Sequence, residues 1–175
     1  VDDEVTVEVV VDALVDGLEA IGLGVRDPSP FRRNTMACTG VEFCKLAIVE
    51  TKARAAAIID ELEARLPEYN LPLAVHVNGC PNSCARIQVA DIGLKGMIVT
   101  VDDVQQPGFQ VHLGGGLASA DRDEAGLGRT VRGLKVTAAD LPDLVERLVR
   151  RWVDQRAPGE TFATWAHRVD EEELR

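Results

Sequence analysis

Hydrophobic and polar positions change period along the chain, and the changes mark out its elements. Residues 5–11 form a β-branched, partly alternating run that reads as a strand. Ala13, Leu14, Leu18 and Ile21 follow at helical spacing, and Gly22-Leu23-Gly24 stops them. After a rigid Asp27-Pro28-Ser29-Pro30 turn, Thr39-Gly-Val-Glu42 has the form of a capping box, in which a hydroxyl and a carboxylate satisfy the first free amides of a helix. The pattern predicts a helix beginning just after Thr39. Its apolar face is Phe43, Leu46, Ala55, Ile58, Leu62 and Leu66, and Pro67 closes it. Residues 73–78 alternate as a buried strand and run into a turn at 79–84. Residues 92–101 and 108–113 read as two further strands, a hairpin joined at Gln105-Gln106-Pro107-Gly108. Gly114-Gly115-Gly116 opens a loop through Gly128. Thr137-Ala-Ala-Asp140 is a second cap, followed by a helix with Leu141, Leu144, Val145, Leu148 and Trp152 on one face. Phe162 and Trp165 suit a last short amphipathic turn, and the acidic run at 170–173 reads as solvated. Together these elements predict an α+β fold, a mixed β-sheet with packed helices.

With 175 residues the chain can bury one real core. Its net charge of −10 argues against a protein that tracks nucleic-acid backbone. No apolar run approaches the roughly 18 residues of a membrane-spanning helix, and the first twenty residues carry no Lys or Arg. The expectation is a cytoplasmic chain with neither nucleic-acid nor membrane partners. It starts at Val1 within a regular pattern, which reads as part of a longer polypeptide.

The four cysteines form two pairs, Cys38-x5-Cys44 and Cys80-x3-Cys84. Reducing compartments keep structural disulfides rare, so metal ligation or redox chemistry is favoured over two disulfide bonds. Four thiolates can hold one zinc ion, but zinc knuckles prefer two to four residues between ligands. An iron–sulfur cluster is larger and accepts wider spacing. Spacing alone leaves both open and favours iron–sulfur.

The blocks Asn34-Thr-Met-Ala-Cys-Thr-Gly-Val-Glu-Phe-Cys-Lys-Leu-Ala and His76-Val-Asn-Gly-Cys-Pro-Asn-Ser-Cys-Ala-Arg, with Val89-Ala-Asp-Ile-Gly-Leu-Lys-Gly after them, resemble the sirohaem-dependent nitrite and sulfite reductases. The likeness is to the carboxy-terminal part of the ferredoxin-dependent enzymes. It implies that Cys38, Cys44, Cys80 and Cys84 ligate one 4Fe-4S cluster and that Cys84 also binds the sirohaem iron. It further implies residues 1–33 as the end of a preceding ferredoxin-like region and 34–175 as the cofactor-binding domain. The implied activity is six-electron reduction of sulfite to sulfide, with nitrite to ammonia as the alternative. The implied partners are ferredoxin, a small anionic substrate and the amino-terminal half of the same polypeptide. In the family that half supplies the Arg and Lys side chains that hold the anion. No catalytic residue is therefore expected in this chain, and the piece alone is expected to lack reductase activity.

Asn82, inside the second pair, is a candidate for a hydrogen bond to a cluster sulfur or the sirohaem edge, against ordinary turn chemistry. Arg129 and Arg86 are candidates for sirohaem carboxylates, against a surface role. His76, His112 and His167 lack metal-ligand spacing and read as structural. Gly79 and the triple glycine at 114–116 are expected to let backbone approach a cofactor closely. Rival functions are a haem-free iron–sulfur electron-transfer module and a structural zinc domain.

Overall fold

The computed structural model describes residues 7–25, 28–118 and 125–175. Helix α1 (Val7–Ala20) is followed by α2 (Pro30–Asn34), β1 (Thr35–Ala37) and α3 (Lys52–Arg65). Strand β2 (Val75–Asn78), a 3-10 turn (Ile87–Val89), β3 (Ile92–Val101), β4 (Val104–Leu113) and β5 (Arg129–Thr137) complete the sheet. Helices α4 (Leu141–Gln155), α5 (Phe162–Arg168) and α6 (Glu171–Leu174) end the chain. The sheet order is β1-β2-β3-β4-β5, with the first three strands parallel and the last three antiparallel. The expected mixed sheet with packed helices is thus observed.

Register assigns the two faces. Val75 and Val77 pair with Ile92 and Leu94, which pair in turn with Leu113 and Val111. These side chains form one face and join a single core with Ile58 and Leu62 of α3, Leu144, Leu148 and Trp152 of α4, and Phe162 and Trp165 of α5. An aromatic row runs through that core, from Phe31 stacked on Tyr69 at 4.7 Å to Trp152, Phe162 and Trp165. Both tryptophans are buried, as their place on the helical stripes implies. Phe31 lies on the amino-terminal side of the 33/34 division, yet it is buried in this same core. The opposite face carries polar rows, His76 beside Gly93 and His112, and Asn78 beside Lys95 and Gln110. The segment after Cys84 lies over this second face, where a Cβ on Gly93 would fall 2.1 Å from Ile87 O.

Four sequence expectations are corrected. Residues 7–11 belong to α1 and not to a strand; Val7, Val11, Leu14 and Leu18 make a helical stripe that begins earlier than the β-branched composition suggests. The expected helix from Thr39 starts only at Lys52, and residues 40–49 lie as turns across the segment after β2. The hairpin turns at Asp102-Asp103, both with positive φ, and not at Gln105-Gln106-Pro107-Gly108. Pro107 sits inside β4, tolerated because its ring nitrogen faces past the last β5 pairing, Gly108 with Thr137. Finally, residues 129–137, left unassigned by pattern, form β5. The Gln110 amide fills the β4–β5 irregularity there, donating to the Val131 and Leu134 carbonyls at 3.0 Å each. Part of the expected 114–128 loop, residues 119–124, lies outside the described residues, as do Val5 and Thr6 of the expected first strand.

Candidate functional site

Parallel strands β1 and β2 finish at the same edge of the sheet, so the segments leaving them meet. Cys38 is the first residue after β1, and Gly79-Cys80 directly follow β2. Backbone laces the two segments together. Cys38 N–H donates to Val77 O at 3.0 Å, and the amides of Ile48 and Val49 donate to Gly79 O at 2.7 and 3.4 Å. The Gly79 amide donates to Cys38 Sγ at 3.2 Å, which ties that sulfur to the segment after β2. A Cβ on Gly79 would lie 3.0 Å from Val49 O and 3.1 Å from Ala47 Cβ. This glycine therefore permits a close approach between the two cysteine segments.

Thr51 holds Cys38 from below. It is wholly buried at the N-cap position of α3, but its hydroxyl donates to Cys38 O at 2.7 Å and makes no cap bond. Glu50 takes over the cap, accepting Arg54 N–H at 2.9 Å. Burial opposes charge on Glu50, but the amides of Arg54, Ala53, Thr51 and Lys52 outweigh it and hold the carboxyl below its usual pKa. Cys44, half-buried, closes a turn through its amide to Gly40 O at 3.0 Å. Because α3 starts eight residues later, Cys44 lies outside its first turn. Around Cys44 the side chains of Val41, Phe43, Leu46 and Ile48 stand exposed, Phe43 at 72%.

The second pair lies on a strained turn. Ser83 and Arg86 both have positive φ, 58° and 52°, a conformation costing non-glycine residues about 1 kcal/mol or more each. Asn78 spans the turn's mouth: its amide NH2 donates to Cys80 O and its Oδ1 accepts from Ala85 N–H at 2.9 Å. Cys80 is buried and Cys84 exposed.

All four cysteines are free thiols. Among the described residues, no three Cys, His, Asp or Glu side chains converge closely enough to hold a single metal ion. Four sulfurs spread over two laced loops, one already receiving an amide, suit a body larger than one ion, so the donor set fits an iron–sulfur cluster.

A sequence model described as the nitrite and sulphite reductase 4Fe-4S domain matches residues 29–175. The chain belongs to that family. This member is 54% identical over 170 residues to sulfite reductase (ferredoxin) 1 of Mycolicibacterium paratuberculosis, covering 94% of the chain and 30% of the relative. It is 42% identical over 123 residues to a ferredoxin–nitrite reductase of Synechococcus elongatus, covering 70% and 23%. The solved structure of the Mycobacterium tuberculosis NirA protein superposes with a TM-score of 0.85 at 49% identity, over 95% of this chain and 30% of that one. This family member thus spans under a third of the length of these relatives.

The other candidate residues divide: Asn82 and Arg86 lie beside the second cysteine pair, and Arg129 lies away from it. Asn82 is exposed on the turn between Cys80 and Cys84. Arg129 starts β5, at the far edge of the sheet from β1, and its Nη2 donates to Ala166 O and Val169 O at 2.8 and 2.9 Å. There it caps the end of α5, and Glu171 lies 3.9 Å away, so the acidic tail is partly paired and not simply solvated. The three histidines are bonded within the fold, His76 to Arg86 O, His112 to Thr130 Oγ1 and His167 to Gly114 O. Gly115 packs on the chain's own backbone, where a Cβ would meet Gln88 O at 2.3 Å. Asn78 and Thr51 were missed by motif reading; the signal available was one buried-pattern polar residue next to each cysteine pair.

Proposed function

We propose that this chain is the cofactor-binding domain of a longer sulfite reductase that takes electrons from ferredoxin. In this reading Cys38, Cys44, Cys80 and Cys84 ligate a 4Fe-4S cluster, and Cys84 also binds the sirohaem iron. The observation that carries it is the lacing of the two cysteine loops at the ends of β1 and β2, with the Gly79 amide on Cys38 Sγ. The exposure of Cys84 beside a buried Cys80 suits a sulfur shared with a second group. When bound, the cluster and sirohaem supply single-electron transfer for the six-electron reduction of the anion. The chain's own work is placement: Thr51 and Gly79 fix Cys38, the turn at Gly40 fixes Cys44, and Asn78 fixes the 80–84 turn. The exposed position of Asn82 between Cys80 and Cys84 supports a hydrogen-bonding role toward the cofactors, whereas a carboxylate for Arg129 would have to replace its two carbonyl partners.

Sulfite is favoured over nitrite because the sulfite reductases it resembles share 49–54% identity, against 42% for the Synechococcus enzyme. The exposed apolar side chains around Cys44 and along α1 suit cover by the remaining polypeptide, which supplies the anion-binding cations. Under this reading, residues 29–33 go with the cofactor domain, since Phe31 is part of its core.

The test is turnover of the full-length polypeptide, purified without oxygen, with reduced ferredoxin and either anion. The expected result is sirohaem absorption bands and a higher kcat/KM for sulfite than for nitrite, with the 175-residue chain alone inactive. Preference for nitrite would reassign the substrate, and cluster without sirohaem bands would favour an electron-transfer module.

A further inference from the structure

Beneath the 80–84 turn, β2 presents two side chains on one face, two residues apart: His76 and Asn78. Asn78 is the last residue of its strand and wholly buried. It holds Cys80 by the carbonyl and, on the other side of the turn, the amide of Ala85, the residue after Cys84. His76 Nδ1 lies 3.1 Å from Arg86 O, so a ring proton there is donated to the next residue along. Ala85 and Ile87, 1% and 0% exposed, seat this stretch on the sheet while Cys84 stays exposed. Within the turn itself the bonds are few: Arg86 N–H to Ser83 O at 2.8 Å and Ser83 Oγ to Pro81 O at 3.3 Å. Neither sets the distance between Cys80 and Cys84. The left-handed Ser83 and Arg86 need an outside restraint to hold their conformation.

We propose that Asn78, aided by His76, is the positioning residue that sets the span between the Cys80 and Cys84 sulfurs. The inference rests on the cluster reading above and assigns a role to residues outside the cysteine motifs. A cluster is a rigid body whose ligands must sit at fixed separations, so a clasp on the backbone at both ends of the turn controls how firmly Cys84 is held. Outer groups of this kind, which orient ligands without touching the metal, typically change metal retention by about 10- to 100-fold when removed.

The experiment uses the full-length polypeptide purified anaerobically, comparing wild type, Asn78→Leu, Asn78→Asp, His76→Phe and Leu148→Ala. Leu148 of α4 is buried in the core with Val75 and Val77, on the sheet face opposite Asn78, so its variant serves as a match for general loss of stability. Each is scored for iron release to a ferrous chelator, cluster midpoint potential, the paramagnetic resonance of the reduced cluster, and melting temperature. The expectation is that Asn78→Leu releases iron about ten-fold or more faster than wild type and Leu148→Ala, with an altered resonance and potential. His76→Phe should shift the same way by less. Asn78→Asp keeps an acceptor for Ala85 and loses the donor to Cys80, so it should release iron faster than wild type and Leu148→Ala, and it carries the test if Asn78→Leu does not fold. Asn78 variants with wild-type release, resonance and potential would overturn the clasp while leaving the cluster in place. A wild-type polypeptide without a cluster would instead overturn the reading of the four cysteines, and the clasp with it.

Discussion

At the scale of single residues, side chains that were silent in the sequence carry much of the geometry. Thr51 follows no motif, and the block that holds Asn78 does not say what it bonds, because a buried polar residue near a cysteine reads the same as any strand or helix-cap position. Only the fold shows that their hydrogen bonds end on cysteine backbone. The cysteines themselves were legible, since spacing and neighbours survive in one dimension. The β3–β4 turn shows the converse. Asp102 and Asp103 both hold φ near +60°, where aspartate is tolerated but glycine is unstrained. Asp103→Gly is expected to stabilise the chain by about 1 kcal/mol, read as a higher urea midpoint. An unchanged or lower midpoint would mean that the aspartates gain compensating contacts.

Among the elements, strong periodic stripes were read correctly, as were the starts of β3 and α4, and the start of α3 was not. The apolar face of α4 and the strands β2 and β3 are where pattern placed them; α4 buries one stripe, and β2 is buried along its whole length. The start of α3 was misplaced because Thr39 and Glu42 satisfy a capping formula that tertiary structure overrides. Glu42 pairs instead with Lys52, and the 40–49 stretch is bonded to Gly79. The cap that is used lies at Glu50, accepting the Arg54 amide. Glu50→Gln should weaken the first turn of α3 by about 1 kcal/mol, seen as several-fold faster hydrogen exchange at Ala53 and Arg54 and little change in α4. β5 escaped notice because its inward residues, Val131, Leu134 and Val136, fall out of strict alternation across the irregularity that Gln110 fills.

For the molecule as a whole, acid sensitivity should arrive in two steps. Burial lowers the pKa of His76, against hydrogen bonds to the backbone that raise it, and burial followed by Lys95 lowers that of His112. Both histidines are neutral in the fold, so the unfolded chain takes up their protons first. The stability they confer is complete above the ordinary histidine pKa and is lost as pH falls below it. Glu63, Glu146 and Glu160, held low by arginine partners, lose theirs only below the usual carboxylate range. The melting temperature is expected to fall already between pH 7 and 5, and replacing both histidines by Gln should remove that step. A midpoint that is flat over this range would contradict it.

The sheet topology brings the two cysteine segments together, and the central claim is that all four cysteines serve one cluster. The measurement that tests it most directly is a count of iron, acid-labile sulfide and zinc per chain in the anaerobically purified full-length polypeptide, beside its four single Cys→Ser variants. About four non-haem irons with matching sulfide are expected in wild type, with no zinc, and loss of the cluster in every variant. About one zinc per chain, without labile sulfide, would contradict it.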